Sequence, residues 1–383
     1  MTKPKVMTLF GTRPDAIKMA PLQKVLASTP NIESLCVVTA QHREMLDQVL
    51  NLFALAPDYD LDLMEPGQTL PSLTAKALTA LDTLLGQVRP NLILVHGDTS
   101  TAFVGALSAF YQKIPVGHVE AGLRTYDRYA PFPEEMNRRL VTPLADLHFC
   151  PTVSNRANLL AEGVQKGVFI TGNTVIDALA TTVQADYVFK TRLLQDLFAS
   201  GRRVILGTIH RRENWGEPLV KILGALGDIL STFPDVTMVL PLHLNPIVRD
   251  VISACFEGHP QVILIPPLPV DEMHNLMARC HLLLTDSGGL QEEAPALGKP
   301  VLVLRRVTER PEAVTAGTVK LVGVDRPVIV RETARLLTDT TAYQAMAQAA
   351  NPYGDGKACL RIRDNILYHF SLRDKPSENF SPV

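Results

Sequence analysis

Short apolar runs alternate with longer segments of helical periodicity along nearly the whole chain. In the first half, the runs predict strands at 6–10, 35–40, 92–96, 116–119, 147–150 and 168–171, and the segments between them predict helices at 15–26, 43–53, 73–88, 101–112, 134–144 and 154–162. Runs such as LILVH at 92–96 are apolar without alternation, which is typical of a strand buried on both faces. Strands that alternate with helices build a parallel sheet with helices on both faces. The sequence therefore predicts an α/β fold of the doubly wound type.

The strand signal stops between about 172 and 202, where a polar stretch of helical character intervenes. A second series of strands is predicted beyond it, at 204–208, 237–241, 262–265, 282–285 and 301–304. Because 383 residues are long for one core, we predict two doubly wound, Rossmann-like domains with their boundary in this stretch. The polar tail beyond residue 370 is expected to be frayed.

The chain carries 37 Lys and Arg against 39 Asp and Glu, which gives a formal net charge of −2. With 46% apolar residues, this composition is typical of a globular protein and excludes wholesale disorder. It supplies no overall field that would attract a nucleic acid or an anionic membrane, so we expect neither as a partner.

Five scattered cysteines form no C-x-x-C pair, which favours a reducing compartment over zinc or redox chemistry. The apolar run at 6–10 is too short for a signal peptide, and no stretch approaches the roughly 18 to 20 uncharged residues of a membrane helix. We therefore expect a cytoplasmic, soluble protein.

The segments that directly follow the predicted strands are unusually polar. In chain order they read GTRPDAIK, QHRE, GDTST, EAGLRT, TIHRREN, HLN, TDSGGLQEE and RRVTERPE. Ligands of such sheets bind at the carboxyl ends of the strands, so the chemistry is expected in these segments. Any one of them could be polar for solvation alone, but the whole set favours a functional site.

The turn at 11–14 follows the first strand and opens a helix, with Arg13 and Lys18 close by in sequence. A glycine, free backbone N–H groups and two cations at a helix N-terminus predict an anion site. The alternative is an ordinary strand-to-helix turn with Pro14 near the helix start. The spacing of a dinucleotide fingerprint or a Walker loop is absent.

The segment DSGGLQEE at 286–293 enters a helix directly after an apolar strand. The amides of the Ser-Gly-Gly run at 287–289 could cradle a diphosphate, and Glu293 could accept hydrogen bonds from ribose hydroxyls. The alternative is a helix cap built on Asp286 or the neighbouring serine. Arg310 adds a planar donor fork after the next strand.

Four acid–base candidates follow strands or open helices: Asp98, Glu120, Glu134 and His210. A carboxylate directly after an apolar strand is partly desolvated, which favours a role as a base unless a cation counters it. Each candidate taken alone is also compatible with a cap or a structural ion pair. His96, which lies inside an apolar strand, is interpreted as a satisfied core group.

Metal-ligand spacings such as H-x-x-x-H or H-E-x-x-H are absent, and so is the G-x-S-x-G motif of serine hydrolases. The sequence therefore predicts neither a metal site nor a nucleophilic triad.

Ten segments follow one another in order: GTRPDAIKMAPL, TAQHREMLDQVL, LVHGDTSTAF, IPVGHVEAGLRT, PFPEEMNRRL, FITGNTVIDAL, IHRRENWGEPL, LTDSGGLQEEAPALGKPVLVLR, TERPEAVTAGT and NPYGDG. Taken together, they resemble the non-hydrolysing bacterial UDP-N-acetylglucosamine 2-epimerases, over about residues 5 to 370. The resemblance implies the GT-B architecture, with an inter-domain active-site cleft and a final helix that crosses back onto the first domain. The domains are then expected at 1–172 with 358–383, and at 173–357.

The resemblance also implies the reaction, which is the reversible conversion of UDP-GlcNAc to UDP-ManNAc at carbon 2. The carbon-2 proton has no carbonyl to acidify it, so the family's route eliminates UDP to give 2-acetamidoglucal and then adds UDP back. No metal or redox cofactor is used by the family. A homodimer is expected.

By residue, the resemblance assigns proton handling and sugar positioning to Asp98, Glu120 and Glu134, and stabilisation of the departing UDP to His210. The positions implied for substrate binding are Arg13, Lys18, Leu268, Met273, Ser287, Gly288, Gly289, Glu293 and Arg310. Those implied for a second, regulatory substrate site are Gln41, Arg43, Arg211 and His243. Leu268 and Met273 stand where relatives often carry Gln and aromatics beside the uracil.

Three other functions share parts of this pattern. They are a GT-B glycosyltransferase, a hydrolysing epimerase that releases ManNAc, and a catalytically silent nucleotide-sugar binder. Incubating UDP-GlcNAc with the protein alone separates them, because only the non-hydrolysing epimerase forms UDP-ManNAc.

Overall fold

The computed structural model describes residues 3–40, 43–63, 65 and 67–382. The strands of this part of the chain are β1 (Lys5–Phe10), β2 (Glu33–Val38), β3 (Tyr59–Asp60), β4 (Leu92–His96), β5 (Val116–Val119), β6 (Leu147–Cys150), β7 (Val168–Ile170), β8 (Arg203–Thr208), β9 (Val236–Pro241), β10 (Val262–Ile265), β11 (Leu282–Thr285), β12 (Val301–Val303) and β13 (Val319–Leu321). Its α-helices are α1 (Arg13–Ala27), α2 (Arg43–Leu52), α3 (Leu70–Val88), α4 (Ser100–Tyr111), α5 (Glu134–Val141), α6 (Val153–Ala161), α7 (Thr174–Thr182), α8 (Arg192–Ala199), α9 (Glu217–Thr232), α10 (Pro246–Phe256), α11 (Val270–Arg279), α12 (Leu290–Ala296), α13 (Pro311–Ala316), α14 (Arg326–Thr338), α15 (Thr340–Ala347) and α16 (Ala358–His369).

The described chain divides into two compact units. The residues up to Thr181, together with Tyr353–Ser381, form unit 1, and Thr182–Pro352, with Pro382, forms unit 2. Unit 1 contains a seven-stranded sheet of order β3-β2-β1-β4-β5-β6-β7, and unit 2 contains a six-stranded sheet of order β10-β9-β8-β11-β12-β13. The paired strands run parallel in both sheets. Two Rossmann-like, doubly wound units confirm the predicted fold class.

The strand order of each sheet reverses at one place, between β1 and β4 in unit 1 and between β8 and β11 in unit 2. Connections leave toward opposite faces of the sheet there, which opens a crevice at the carboxyl ends of the strands. The strand β4 is buried along its whole length, as its apolar sequence predicts. The segments that follow β1, β4 and β5 therefore lie at the crevice of unit 1. The segments that follow β8 and β11 lie at the crevice of unit 2.

Two short edge strands and one helix end differ from the sequence-based expectation. The strands β3 and β13 were not predicted, because two or three residues carry too little pattern to be recognised. The helix predicted at 134–144 stops at Val141, and Thr142–Leu144 continues as a 3-10 turn. Pro143 explains this change, since its ring disfavours a continued α-helix.

The C-terminal segment returns to unit 1 and is docked there. The helix α16 packs against α1. Phe380 is buried, its backbone N–H donates to the Ile170 carbonyl at 2.8 Å, and Asn379 Oδ1 accepts from the Ile170 N–H at 2.9 Å. The guanidinium of Arg361 lies 5.4 Å from the Phe380 ring centre. The expectation of a frayed tail is wrong here, because one aromatic side chain is enough to anchor a polar segment.

Within the described residues, no helix combines the length and the apolar character needed to cross a membrane.

Candidate active site

The carboxylate of Glu120 lies at the centre of a polar cluster in unit 1. Glu120 directly follows β5 and has a φ of +65°, a left-handed conformation that is uncommon for a residue with a Cβ. Its Oε2 forms an ion pair with Lys18 and accepts a hydrogen bond from Asn173 Nδ2 at 2.9 Å. The Nε2 atom of His96 lies 3.7 Å from the same oxygen. Because the Glu120 side chain is only 12% exposed, these groups act on it with little screening by water.

His96 differs from the satisfied core histidine that the sequence indicated. Burial lowers its pKa to about 4, so the ring is neutral near neutral pH. Its Nε2 has no hydrogen-bond partner among the described residues. His118, on the adjacent strand, instead places its Nε2 2.8 Å from the carbonyl oxygen of Gly97. His96 is thus a neutral, buried group that faces the Glu120 carboxylate.

Asp98 is tied to α5 through a buried arginine. Its carboxylate forms an ion pair with Arg138, and its backbone carbonyl accepts from Asn137 Nδ2 at 2.9 Å. Arg138 also bonds to Glu135 at 3.1 Å. Glu135 is fully buried, and such a charge is tolerated only when it is paired and hydrogen-bonded. This chain of contacts fixes Asp98 against the start of α5.

Glu134 is the first residue of α5 and is half-buried, while its neighbour Glu135 takes the internal position. The Glu135 carboxylate accepts from the backbone N–H groups of Thr125 at 3.0 Å and Tyr126 at 3.1 Å. The loop that connects Glu120 to Glu134 is thereby held by the residue next to Glu134.

The turn after β1 does not offer the free N–H groups that the sequence predicted. The Asp15 carboxylate accepts from the Gly11 N–H at 3.1 Å and from the Thr12 N–H at 2.7 Å. The expectation of free N–H groups is wrong for these two amides, because a buried side chain of the same turn accepts hydrogen bonds from both. Burial raises the pKa of Asp15. Two predicted cations remain in place, since Arg13 begins α1 and Lys18 reaches Glu120.

In unit 2, His210 is held by the fully buried carboxylate of Asp286. The distance from His210 Nδ1 to Asp286 Oδ1 is 2.9 Å. Asp286 also accepts from the backbone N–H groups of His210 and Arg211 and from Asn214 Nδ2. Burial alone would raise the pKa of Asp286, but the His210 contact and these donors hold it below its ordinary value. The ring of His243 stacks on that of His210, with centres 6.0 Å apart.

The Ser-Gly-Gly run leads from β11 into α12, and Arg310 lies against it. A Cβ on Gly288 would come within 2.6 Å of Arg310 Nη1, so a larger residue here would displace the guanidinium from its present position. Arg310 is oriented by Glu292 at 2.5 Å and by Glu309 at 2.9 Å. The Ser287 N–H donates to Thr285 Oγ1 at 2.9 Å, so this amide of the predicted cradle is engaged within the protein.

Glu293 is anchored by a histidine that the sequence reading did not single out. His274 Nε2 lies 3.2 Å from Glu293 Oε2, and His274 Nδ1 lies 2.7 Å from Thr182 Oγ1. A Cβ on Gly289 would lie 3.1 Å from Glu293 Oε1. Glu293 is therefore placed directly beside the Ser-Gly-Gly run, as the sequence suggested.

The remaining predicted positions are spread over both units. Leu268 is buried in the loop before α11, and Met273 is half-buried on α11. Arg43 begins α2 and forms ion pairs with Asp47 and Asp60. Gln41 lies outside the described residues. Arg211 Nη2 lies 3.5 Å from Glu309 Oε1, and His243 contacts His210 as above.

Besides His274, sequence reasoning missed the supporting roles of Asp286 and Asn173. Each follows a strand at the carboxyl edge of a sheet, Asp286 directly after β11 and Asn173 shortly after β7. The sequence shows that Asp286 directly follows a predicted strand, but a helix cap explained this position equally well. Their partners lie 76 and 53 residues away along the chain, and only the tertiary structure pairs them.

Among the described residues, no group of three or more His, Cys, Asp or Glu side chains is arranged to hold a metal ion.

Comparison with known proteins gives a consistent result over the whole chain. The family model described as UDP-N-acetylglucosamine 2-epimerase matches residues 24–367. The UDP-N-acetylglucosamine 2-epimerase of Bacillus subtilis (strain 168) is 51% identical over 382 residues, which cover 100% of both chains. The enzyme of the same name from Escherichia coli (strain K12) is 54% identical over 369 residues, 94% of this chain and 98% of its own.

A solved relative also carries a nucleotide sugar. The crystal structure of UDP-GlcNAc 2-epimerase from Neisseria meningitidis bound to UDP-GlcNAc superimposes with a TM-score of 0.85 at 47% identity. The match covers 95% of this chain and 100% of that one.

Proposed function

Because the chain belongs to the UDP-N-acetylglucosamine 2-epimerase family and epimerises UDP-GlcNAc at carbon 2, we propose that it works by elimination and re-addition of UDP. The observation that carries this proposal is the Glu120 cluster, in which a poorly exposed carboxylate is paired with Lys18, accepts a hydrogen bond from Asn173 and lies 3.7 Å from the neutral ring of His96. A fixed, poorly exposed carboxylate belongs to the class of groups that act as general bases, and Lys18 balances its charge when it is ionised.

The bond changes of this route balance without an oxidant or reductant. A base takes the proton from carbon 2, the electrons of that C–H bond form the double bond to carbon 1, and the bond from carbon 1 to the UDP oxygen breaks with its electrons. The products are 2-acetamidoglucal and UDP. In the return step UDP attacks carbon 1 while a proton is delivered to the opposite face of carbon 2, which gives UDP-ManNAc.

Inversion at carbon 2 favours acid–base groups on both faces of the sugar ring. We assign this work to Asp98, Glu120 and Glu134, which the resemblance singled out. Glu120 is directly connected to Lys18, and Asp98 to Arg138, so both carboxylates have a cation that can balance charge as protons move.

His210 is proposed to stabilise the negative charge on the departing UDP. The contact with Asp286 at 2.9 Å orients the ring and favours a proton on Nδ1. When both ring nitrogens carry a proton, Nδ1 donates to Asp286 and Nε2 donates to the departing nucleotide. A positioned donor of this kind contributes most when it is fixed before the charge develops.

The first test follows hydrogen at carbon 2 by proton NMR in heavy water. UDP-GlcNAc incubated with the purified protein is expected to reach equilibrium with UDP-ManNAc while deuterium replaces the carbon-2 hydrogen, because a solvent-exchanged proton is returned. Product that keeps its original hydrogen would contradict elimination. Release of free ManNAc and UDP would instead identify a hydrolysing enzyme.

Nucleotide binding is proposed to depend on the Ser-Gly-Gly run, Glu293 and Arg310. We expect Arg310→Ala and Glu293→Ala to weaken UDP binding by about 1.5 to 3 kcal/mol each, the usual worth of a hydrogen bond to a charged group. Calorimetric titration with UDP measures the effect. Thermal unfolding serves as the control, since Arg310 also neutralises the buried Glu292. Unchanged UDP affinity in well-folded variants would remove these residues from the nucleotide site.

The product UDP-ManNAc, a homodimeric working form and a cytoplasmic location are also part of the proposal. Large apolar side chains are exposed at the end of α4, where Phe110 is 57% and Tyr111 62% exposed, and this surface could serve a second copy. The five cysteines are free thiols, which accords with a reducing compartment.

A further inference from the structure

Asn173 contacts the proposed base in a way that none of the assigned roles explains. It is 3% exposed and lies between the end of β7 and the start of α7. Its Nδ2 donates to Glu120 Oε2 at 2.9 Å. The same oxygen faces Lys18 and His96, so three elements of unit 1 converge on one carboxylate atom.

The orientation of the Asn173 amide is fixed by its other contacts. Its Oδ1 accepts from the Val175 N–H at 3.1 Å, and its backbone N–H donates to the Tyr353 carbonyl at 2.6 Å. A flipped amide would lose the Val175 bond and would set two oxygen atoms against each other at Glu120. The donor face of Asn173 is therefore committed to Glu120.

The other two groups on Oε2 are less suited to orient it. Lys18 is a compact charge on a flexible stem, so it neutralises the carboxylate without fixing its rotation. The nearest ring nitrogen of His96 is 3.7 Å away, which is beyond hydrogen-bond distance, and burial keeps the ring neutral. A neutral amide can keep its hydrogen bond whether Glu120 is ionised or has just taken a proton.

We propose that Asn173 is a positioning residue that fixes the rotation of the Glu120 carboxylate during proton transfer. This inference rests on the proposed role of Glu120 as a base or acid. The left-handed backbone at Glu120 sets the direction in which the side chain leaves the main chain, and the hydrogen bond from Asn173 fixes the rotation of its carboxylate.

The decisive variant is Asn173→Asp, because it keeps the side-chain contact with Val175 and removes the hydrogen bond to Glu120. Aspartate keeps an oxygen that can accept from Val175 and so preserves the start of α7. It replaces the donor that faces Glu120 with a second carboxylate oxygen. Asn173→Ala loses both contacts, and Asn155→Asp, which adds a carboxylate at a buried capping position of α6, is the matched control.

We expect Asn173→Asp to lower kcat by about 10²-fold at mildly alkaline pH with little change in KM, since a misplacement of about 1 Å has an effect of this size. Its melting temperature is expected to fall most at mildly alkaline pH, where two buried carboxylates face each other, so kcat is measured well below that temperature. As the pH falls from about 8 to about 6, the deficit should shrink, because a proton shared between the two carboxyl groups restores a hydrogen bond. Asn155→Asp should keep its kcat across this range.

A wild-type kcat for Asn173→Asp would overturn the positioning role. So would a loss of kcat that is matched by a loss of stability and does not depend on pH, since that is the signature of a purely structural residue. Measuring Glu120→Gln in parallel distinguishes a failure of the proposed role of Glu120 from a failure of the positioning role of Asn173. If Glu120→Gln is fully active, the proposed role of Glu120 fails; if only Asn173→Asp is active, this inference alone fails.

Discussion

Glu120→Gln is expected to lower kcat for the epimerisation of UDP-GlcNAc by about 10²-fold or more, and to leave UDP affinity nearly unchanged. Glutamine keeps the shape of the side chain but cannot take up a proton. The substitution also removes the charge that pairs with Lys18. The rate is measured by NMR of the two nucleotide sugars, and UDP affinity by calorimetry.

Glu332→Gln is the control for this experiment. Glu332 is buried in unit 2 and paired with Lys320, Arg331 and Arg335, so the change removes a buried, ion-paired carboxylate away from the proposed chemistry. We expect its kcat to be unaltered. Equal losses in the two variants would show that the Glu120 effect is one of stability, and an active Glu120→Gln would exclude Glu120 as the base.

Asp286→Asn and His210→Ala are each expected to lower kcat by about 10²-fold, and the double variant is expected to be no worse than His210→Ala alone. Asparagine cannot hold the proton of His210 Nδ1 as a carboxylate does, so the ring loses its orientation. Steady-state rates of the unmodified protein, the two single variants and the double variant complete a double-mutant cycle. Additive losses would mean that the two residues act independently.

The depressed pKa of Asp286 predicts how this pair responds to acid. The group stays ionised down to a lower pH in the folded protein than in the unfolded chain. Its contribution to stability is therefore present above the ordinary aspartate pKa, and it is lost as the pH falls through the lower value of the folded state. Asp286→Asn should abolish this acid-dependent contribution.

The sequence predicts the long buried strands and the crevices well, and long-range pairing poorly. The run LILVH predicts β4 because four of its five residues are apolar, and the alternation of strands and helices predicts a parallel sheet. The three-residue β13 carries no comparable signal. Short strands depend on the neighbour they pair with, which the local sequence does not specify.

At the candidate site, too, the sequence indicates individual residues better than it indicates the partners that contact them from distant segments. Residue type and position after a strand single out Glu120 and His210, but their partners Asn173 and Asp286 come from distant segments. The turn after β1 shows the opposite error. Its amides are predicted to be free, yet Asp15 accepts from the N–H groups of Gly11 and Thr12, four and three residues earlier in the chain, as a capping interpretation of the same residues would have indicated.

The left-handed backbone at Glu120 has a consequence for efforts to engineer this protein. An L-residue pays about 1 to 2 kcal/mol in that conformation, and glycine or asparagine adopts it more easily. A library screened only for heat resistance therefore weighs this strain against the Lys18 ion pair and the Asn173 hydrogen bond that the same side chain forms. Position 120 should be held constant in such a screen, because any replacement removes the carboxylate on which turnover is proposed to depend.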